Sequence, residues 1–292
     1  MSQASYRIWA DGRPELPLFQ QPRWLDLLSR AWDAYLVGDA GDDPARARLA
    51  WPYVAELRAG LRVARWPACT PYLGPVATGR ELERLRVPPG LDYVSFTFAD
   101  PSLAWSLGRR ARAMGTQTVA LAQPARYHTN VRRNLRGAAR ALAVREIARD
   151  EVAAAIVQAA HWDVPLPAEA ARIAPRAVGE GMARAFAVER AGRGEGLLVF
   201  AHDRSRAYHL LTSRHPGAHP ATTTALVHEA LGAARESGLE VYDFCAGYLS
   251  GVREFFARFG AEPAWYGSAR LARAGLPRMA EWARGTFSRK RI

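Results

Sequence analysis

Residues 239–266, LEVYDFCAGYLSGVREFFARFGAEPAWY, decide how this chain folds. Val241, Asp243 and Cys245 alternate with Tyr242 and Phe244, the period of two that a pleated strand imposes. Val252, Phe255, Phe256 and Phe259 then recur at helical spacing, which makes one helix face apolar. Ser250 suits the N-cap and Gly260 the stop at C′, with a second strand from Glu262. A buried strand that delivers a carboxylate and opens into a glycine loop is a common way for α/β folds to place a ligand site.

Upstream, the same half shows helical segments at Glu151–Ala160 and Ala168–Ala177. Strands follow at Ala185–Arg190, Leu197–His202 and Arg206–Thr212, joined by GRGEG and DRS turns, and then a helix at Thr223–Glu236. The first half reads alike. A helix spans Trp24–Tyr35 after Pro22, and a hairpin pairs Trp51–Leu57 with Leu61–Trp66 around Ala59-Gly60. A short helix near Gly79–Leu85 leads to a strand at Tyr93–Phe98, a helix at Ser102–Met114 stopped by Gly115, and a strand at Gln117–Leu121. A basic helix, Asn130–Leu142, connects the halves. The plan of helix, antiparallel meander, helix, strand, helix, strand thus occurs twice without repeated residues.

That plan and four motifs resemble the Fem-type group of tandem-GNAT proteins, the peptidoglycan-bridge aminoacyl transferases and their relatives. The motifs are FQQPRWLDLL (Phe19–Leu28), PYLGPV (Pro71–Val76), NVRRNLRGAAR (Asn130–Arg140) and YDFCAG followed by GVREFFARFGAEPAWY. The resemblance implies an α+β fold of two tandem GNAT-like domains, each a mixed, mostly antiparallel sheet flanked by helices. The expected divisions are 1–125, a basic connecting helix at 126–150, and 151–292 with a basic tail. It also implies transfer of an activated acyl or aminoacyl group to an amine. The expected donor is aminoacyl-tRNA, with acyl-CoA as the alternative and no tightly bound cofactor; a scaffold without catalysis is a third reading.

Charge distribution agrees with a polyanionic partner. The net charge is +12, and the excess is clustered: residues 101–150 carry ten Arg against two acids, and residues 270–292 seven bases against one acid. Such clustering suits tRNA or a nucleotide- or phosphate-linked substrate, or else is a solvated basic face. Two distant cysteines, Cys69 and Cys245, fit neither a zinc site nor a disulfide framework. No apolar run long enough to span a membrane and no secretory leader is read, so a cytoplasmic location is expected.

Aminolysis needs a deprotonated amine, a place for the oxyanion and a proton path to the leaving group. Asp243 is the candidate for orienting or deprotonating the amine, or else it caps the following loop. Cys245 reads as packing, with no His near it in sequence. The GNAT resemblance places Tyr208 and His209 on the strand facing the acyl-transfer cleft; either is a candidate proton donor, and alternation leaves open which faces inward. It also maps the pyrophosphate loop onto Arg214-His215-Pro216-Gly217-Ala218-His219. Arg214 and Gly217 match, but His219 and Pro220 break the pattern, and proline removes an N–H donor. Arg132, Arg133 and Arg136 lie on neighbouring helical positions and suit a phosphate clamp or a solvated face. Gly247 belongs to the loop after Asp243, and Tyr72, beside Gly74-Pro75, is a candidate acceptor-pocket residue.

Overall fold

The computed structural model describes residues 3–38, 43–77, 81–82, 85–99, 107, 111–159, 162, 166, 168–245 and 250–273. The first half opens with helices α1 (Gln3–Asp11) and α2 (Pro22–Leu28). Strands β1 (Asp33–Val37), β2 (Leu49–Tyr53), β3 (Ala55–Arg58), β4 (Leu61–Ala64), β5 (Val76–Ala77), β6 (Tyr93–Phe98) and β7 (Ala111–Ala120) follow. Helix α3 (Thr129–Ala141) and strand β8 (Ala143–Glu146) lead into the second half. That half runs α4 (Arg149–Ala159), α5 (Ala170–Gly179), β9 (Ala183–Arg190), β10 (Arg193–His202), β11 (Arg206–Arg214), α6 (Thr222–Glu236), β12 (Val241–Asp243), α7 (Ser250–Ala257) and β13 (Glu262–Ala272).

Strands β1, β2 and β5 form a small antiparallel sheet. The other ten make one mixed, mostly antiparallel sheet in the order β3-β4-β6-β13-β7-β12-β11-β10-β9-β8. The closing strands of the two halves are interleaved: β13 lies between β6 and β7, and β7 between β13 and β12. Gly267 permits this, because it pairs with Phe98, whose ring fills the space a Cβ would need. The result is the expected α+β architecture of a sheet flanked by helices.

Alternation along β10 sorts the core. Leu197, Val199 and Ala201 pack toward α1, α2, α4 and α5, whereas Leu198 and Phe200 pack under α6. Each fully buried Leu or Phe contributes about 1.5–3 kcal/mol. Ala191 and Gly192, both at positive φ (49° and 75°), make the tight turn that joins β9 to β10 with the twist of the strands. β11 pairs in parallel with β12 only over Arg206–Tyr208. Beyond Tyr208 it keeps β10 on one side and has no strand on the other among the described residues. A bulge at Leu210 marks the parting, since Val199 opposes Leu211 while Phe200 opposes His209.

Four expectations are corrected. The Trp24–Tyr35 helix ends at Leu28, and Trp32–Val37 turns to strand geometry. Ser29 is extended (φ −161°) and its hydroxyl accepts from Ala31 N–H, which competes with the helical bond. Trp32, Ala34 and Leu36 are buried in alternation, a period of two hidden inside a helical-looking pattern. The Trp51–Leu57 strand is two strands in two sheets, with the chain changing sheets at Val54. Of the Ser102–Met114 helix, residues 102–106 and 108–110 lie outside the described residues, but Ala111–Met114 is strand. β13 pairs with β7 throughout this stretch, and those hydrogen bonds override the helix propensity of Ala-Arg-Ala-Met. Strand β8, at the sheet edge, falls within the expected connecting helix at 126–150. Only Glu81, Leu82 and Leu85 of the short helix near Gly79–Leu85 are described.

Candidate active site

Asp243 ends β12, and its own side chain helps to end it. Oδ1 accepts from the backbone N–H of Cys245 at 2.8 Å, a turn that carries Cys245 into the left-handed region (φ 53°). The carboxylate is 1% exposed and gathers groups from both halves. Tyr72 Oη donates to Oδ2 at 2.8 Å and Thr116 Oγ1 to Oδ1 at 2.8 Å. Arg206 Nη1 reaches Oδ2 at 3.2 Å, and its side chain remains 35% exposed. Two oxygens therefore hold four donors, which is the full acceptor capacity of a carboxylate. Such a group acts by positioning what it binds. The Tyr72 hydroxyl is pushed well above the usual phenol range, first by burial and then by the neighbouring Cys245 and Asp243. The Cys245 thiol is raised as well, by burial and by Asp243, as expected of an inert packing cysteine.

Tyr208 and His209 point to opposite faces of β11. Tyr208 lies on the Asp243 face: its ring makes edge contacts with Phe19 (4.7 Å between centroids) and Tyr72 (6.1 Å). Its hydroxyl donates to Asp203 Oδ2 at 2.7 Å, and burial, then Asp203, raises its pKa. Asp203 also accepts from the N–H groups of Ser205 and Arg206, so it shapes the β10–β11 turn. His209 turns instead into a ring cluster with Tyr242, Phe244 and Phe256. Nδ1 lies 3.0 Å from Tyr242 Oη, Nε2 lies 2.6 Å from Thr212 Oγ1, and burial pushes its pKa down to about 4. At neutral pH it is uncharged.

The loop after β11 is closed on itself. His215 N–H donates to Glu195 O, Gly217 N–H to His215 Nδ1, and Ala218 N–H to His215 O. His219 N–H donates to Glu195 Oε2, Ala221 N–H to His219 Nδ1, and Thr222 N–H to His219 O. Pro216 and Pro220 carry no N–H. Every backbone donor from His215 to Thr222 is thus satisfied within the chain. Glu195, which the sequence had hidden inside a GRGEG turn, is the centre of this arrangement and only 5% exposed. Burial works to raise its pKa, but bonds from His219 N–H, the Thr222 hydroxyl and Arg190 hold it below the usual range. Gly196 lets the start of α6 sit this close to β10, since a Cβ there would strike Thr222 and Leu226. Arg214 is exposed, and Gly217 O accepts from Arg190.

Arg132, Arg133 and Arg136 are exposed on α3 and make no ion pair among the described residues. Val131, Leu135 and Ala138 turn the opposite face of α3 onto α6, with Ala138 beside Ala221 and Ala225 at the start of α6. The three arginines therefore lie on the face of α3 turned away from α6. Gly247 lies outside the described residues. No helix among the described residues is long and apolar enough to cross a membrane.

No family model and no curated protein matches the chain in sequence. Solved structures do match in fold. FemX superposes with a TM-score of 0.62 at 9% identity, covering 91% of this chain and 96% of FemX. L-PGS from Bacillus licheniformis gives 0.57 at 12% identity, with 94% of each chain covered. The C-terminal DUF2156 domain of a proposed lysylphosphatidylglycerol synthetase from Agrobacterium fabrum gives 0.57 at 13%, with 92% of each covered. The chain thus shares its fold with FemX and with these two proteins.

Proposed function

We propose that this chain is an acyltransferase that forms an amide on an amine-bearing acceptor, taking an aminoacyl group from charged tRNA. The amine nitrogen attacks the ester carbonyl, the ester C–O bond breaks, and the proton lost by the amine leaves with the tRNA hydroxyl. The fold shared with FemX supports acyl transfer in general. The closed loop between β11 and α6 carries the choice of donor. A pyrophosphate held at a helix N-terminus needs free backbone N–H groups, and from His215 to Thr222 all are bonded internally beside the Glu195 carboxylate. The exposed arginines of α3, the helix whose other face packs at the start of α6, suit a nucleic-acid backbone. Asp243 serves as a positioning residue that aims the half-exposed Arg206 and the Tyr72 hydroxyl at the reacting groups.

One observation favours a non-catalytic scaffold instead: with four donors on its two oxygens, Asp243 has no acceptor site left to take a proton from an amine. A ligand-binding experiment on the full chain tests the donor assignment. Charged tRNA should raise the melting temperature while acetyl-CoA does not. Replacing Arg132, Arg133 and Arg136 together by Gln should weaken tRNA binding and flatten its dependence on log salt by about two to three. Stabilisation by acetyl-CoA with no response to charged tRNA would show the donor assignment to be wrong.

A further inference from the structure

The interleaved β13 carries a polar track on the face that leads to Asp243. Opposed residues of antiparallel strands share a face, so Arg270 lies beside Ser95 of β6, and Ser268 beside Thr97 and Arg112. Two residues further along the same face, Tyr266 meets Tyr72 with ring centroids 5.4 Å apart, and Tyr72 is bonded to Asp243. At the far end of this track a cavity of about 170 Å³ is lined by Arg65, Trp66, Ser95 and Arg270.

We propose that this cavity is a phosphate-binding subsite that anchors the acceptor, with Arg270 and Ser95 as its principal donors. Ser95 is 5% exposed and lines the cavity, so its hydroxyl is available as a donor to a group bound there. Arg270 is exposed and makes no ion pair among the described residues. Arg65 is held at the cavity wall by Glu56, with Nε and Nη2 both on Oε1. Glu56 is itself shared with Arg58, so the surroundings keep a net positive charge. Arg112 adds a further cation along the track.

The ligand class follows from size and donors. Pockets that enclose whole ligands span roughly 300–1,000 Å³, so this one takes a single group of a larger molecule. Guanidinium groups with a hydroxyl match the several oxygens of a phosphate ester. Trp66, 40% exposed at the rim, offers a ring face to the neutral part. From Arg270 to Tyr266 the strand covers about 13 Å, which sets the span between the anchored phosphate and an amine at the Asp243 cluster. That last step rests on the acyl-transfer reading; the anchoring itself does not.

The test uses the full chain with inorganic phosphate as probe, titrated by calorimetry. Arg270→Gln, at an exposed position, should weaken phosphate binding about tenfold or more, and Ser95→Ala should weaken it by a smaller factor. Flotation with phosphatidylcholine vesicles containing phosphatidylglycerol then distinguishes the source. Vesicle binding lost in Arg270→Gln assigns the site to a lipid headgroup, whereas vesicle binding unaffected by a substitution that abolishes phosphate binding assigns it to a soluble phosphoester. Unchanged phosphate affinity in both variants would overturn the proposal. Charged-tRNA binding is read on the α3 arginines, so failure of the donor assignment leaves this result intact.

Discussion

Two buried carboxylates, Asp243 with four donors and Glu195 with three, do different work. Glu195 collects donors from its own half: Arg190, His219 and Thr222, all within 27 residues of it in sequence. It closes a local loop and takes up the His219 N–H. Asp243 collects Tyr72 and Thr116 from the first half, 171 and 127 residues away, together with Arg206 and Cys245 from the second. It joins the halves at the point where β11 and β12 part. The contrast separates a carboxylate that fixes a local loop from one that ties distant segments together.

The largest expected effect comes from Asp243→Ala. It leaves two buried hydroxyls, a buried N–H and a partly buried guanidinium without an acceptor, and should cost about 3–5 kcal/mol in urea unfolding. A loss below 1 kcal/mol would remove Asp243 as the link between the halves. Glu195→Ala should cost less, about 1–3 kcal/mol, because its donors lie nearer to solvent. It should also do what Asp243→Ala cannot: free the His219 N–H, remove a negative charge, and let pyrophosphate raise the melting temperature. Absence of any pyrophosphate response would break the assignment of Glu195 as the group that closes the loop. Tyr72→Phe removes one of four donors from Asp243 and should cost about 1 kcal/mol.

The smallest effect is a pH slope from His209, on the face of β11 away from both carboxylates. Its folded pKa of about 4 lies below the ordinary 6.5, so the unfolded chain binds a proton first. Stability should therefore be unaffected by this group above about pH 6.5 and should fall as pH drops from there toward 4. His209→Gln should flatten melting temperature against pH in that window; an unchanged slope would show that the ring is charged in the folded state.

Much of the second half was legible because its local signals agree. β9, β10, β11, α6 and α7 coincide with periodic runs bounded by Gly or by polar turns, and Gly260 takes the positive φ (83°) expected of a C′ residue. The first half was harder where tertiary pairing overrode local preference. Ala111–Met114 reads as helix by composition but is strand because β13 pairs along it. At the candidate site, Asp243 could be singled out as an acid ending a core strand, whereas its bond to Tyr72 could not, since no local pattern encodes a contact 171 residues apart. Glu195 left no signal for a different reason: in sequence it is one acid in a glycine-rich turn, and only the approach of α6 over Gly196 makes it central. The choice between Tyr208 and His209 needed the bulge at Leu210 and the packing of both sheet faces, which alternation alone does not supply.

The placement of β13 between β6 and β7 also bears on how this chain is made. During synthesis β6 and β7 emerge long before Glu262–Ala272, and until that strand arrives each exposes an open edge of unpaired backbone groups. A ribosome stalled after β12 would hold a sheet with a gap in its middle, ready to pair with any other extended segment. Efficient production of this protein thus depends on guarding that gap, and truncations removing β13 should aggregate while leaving α6 and β9–β11 folded.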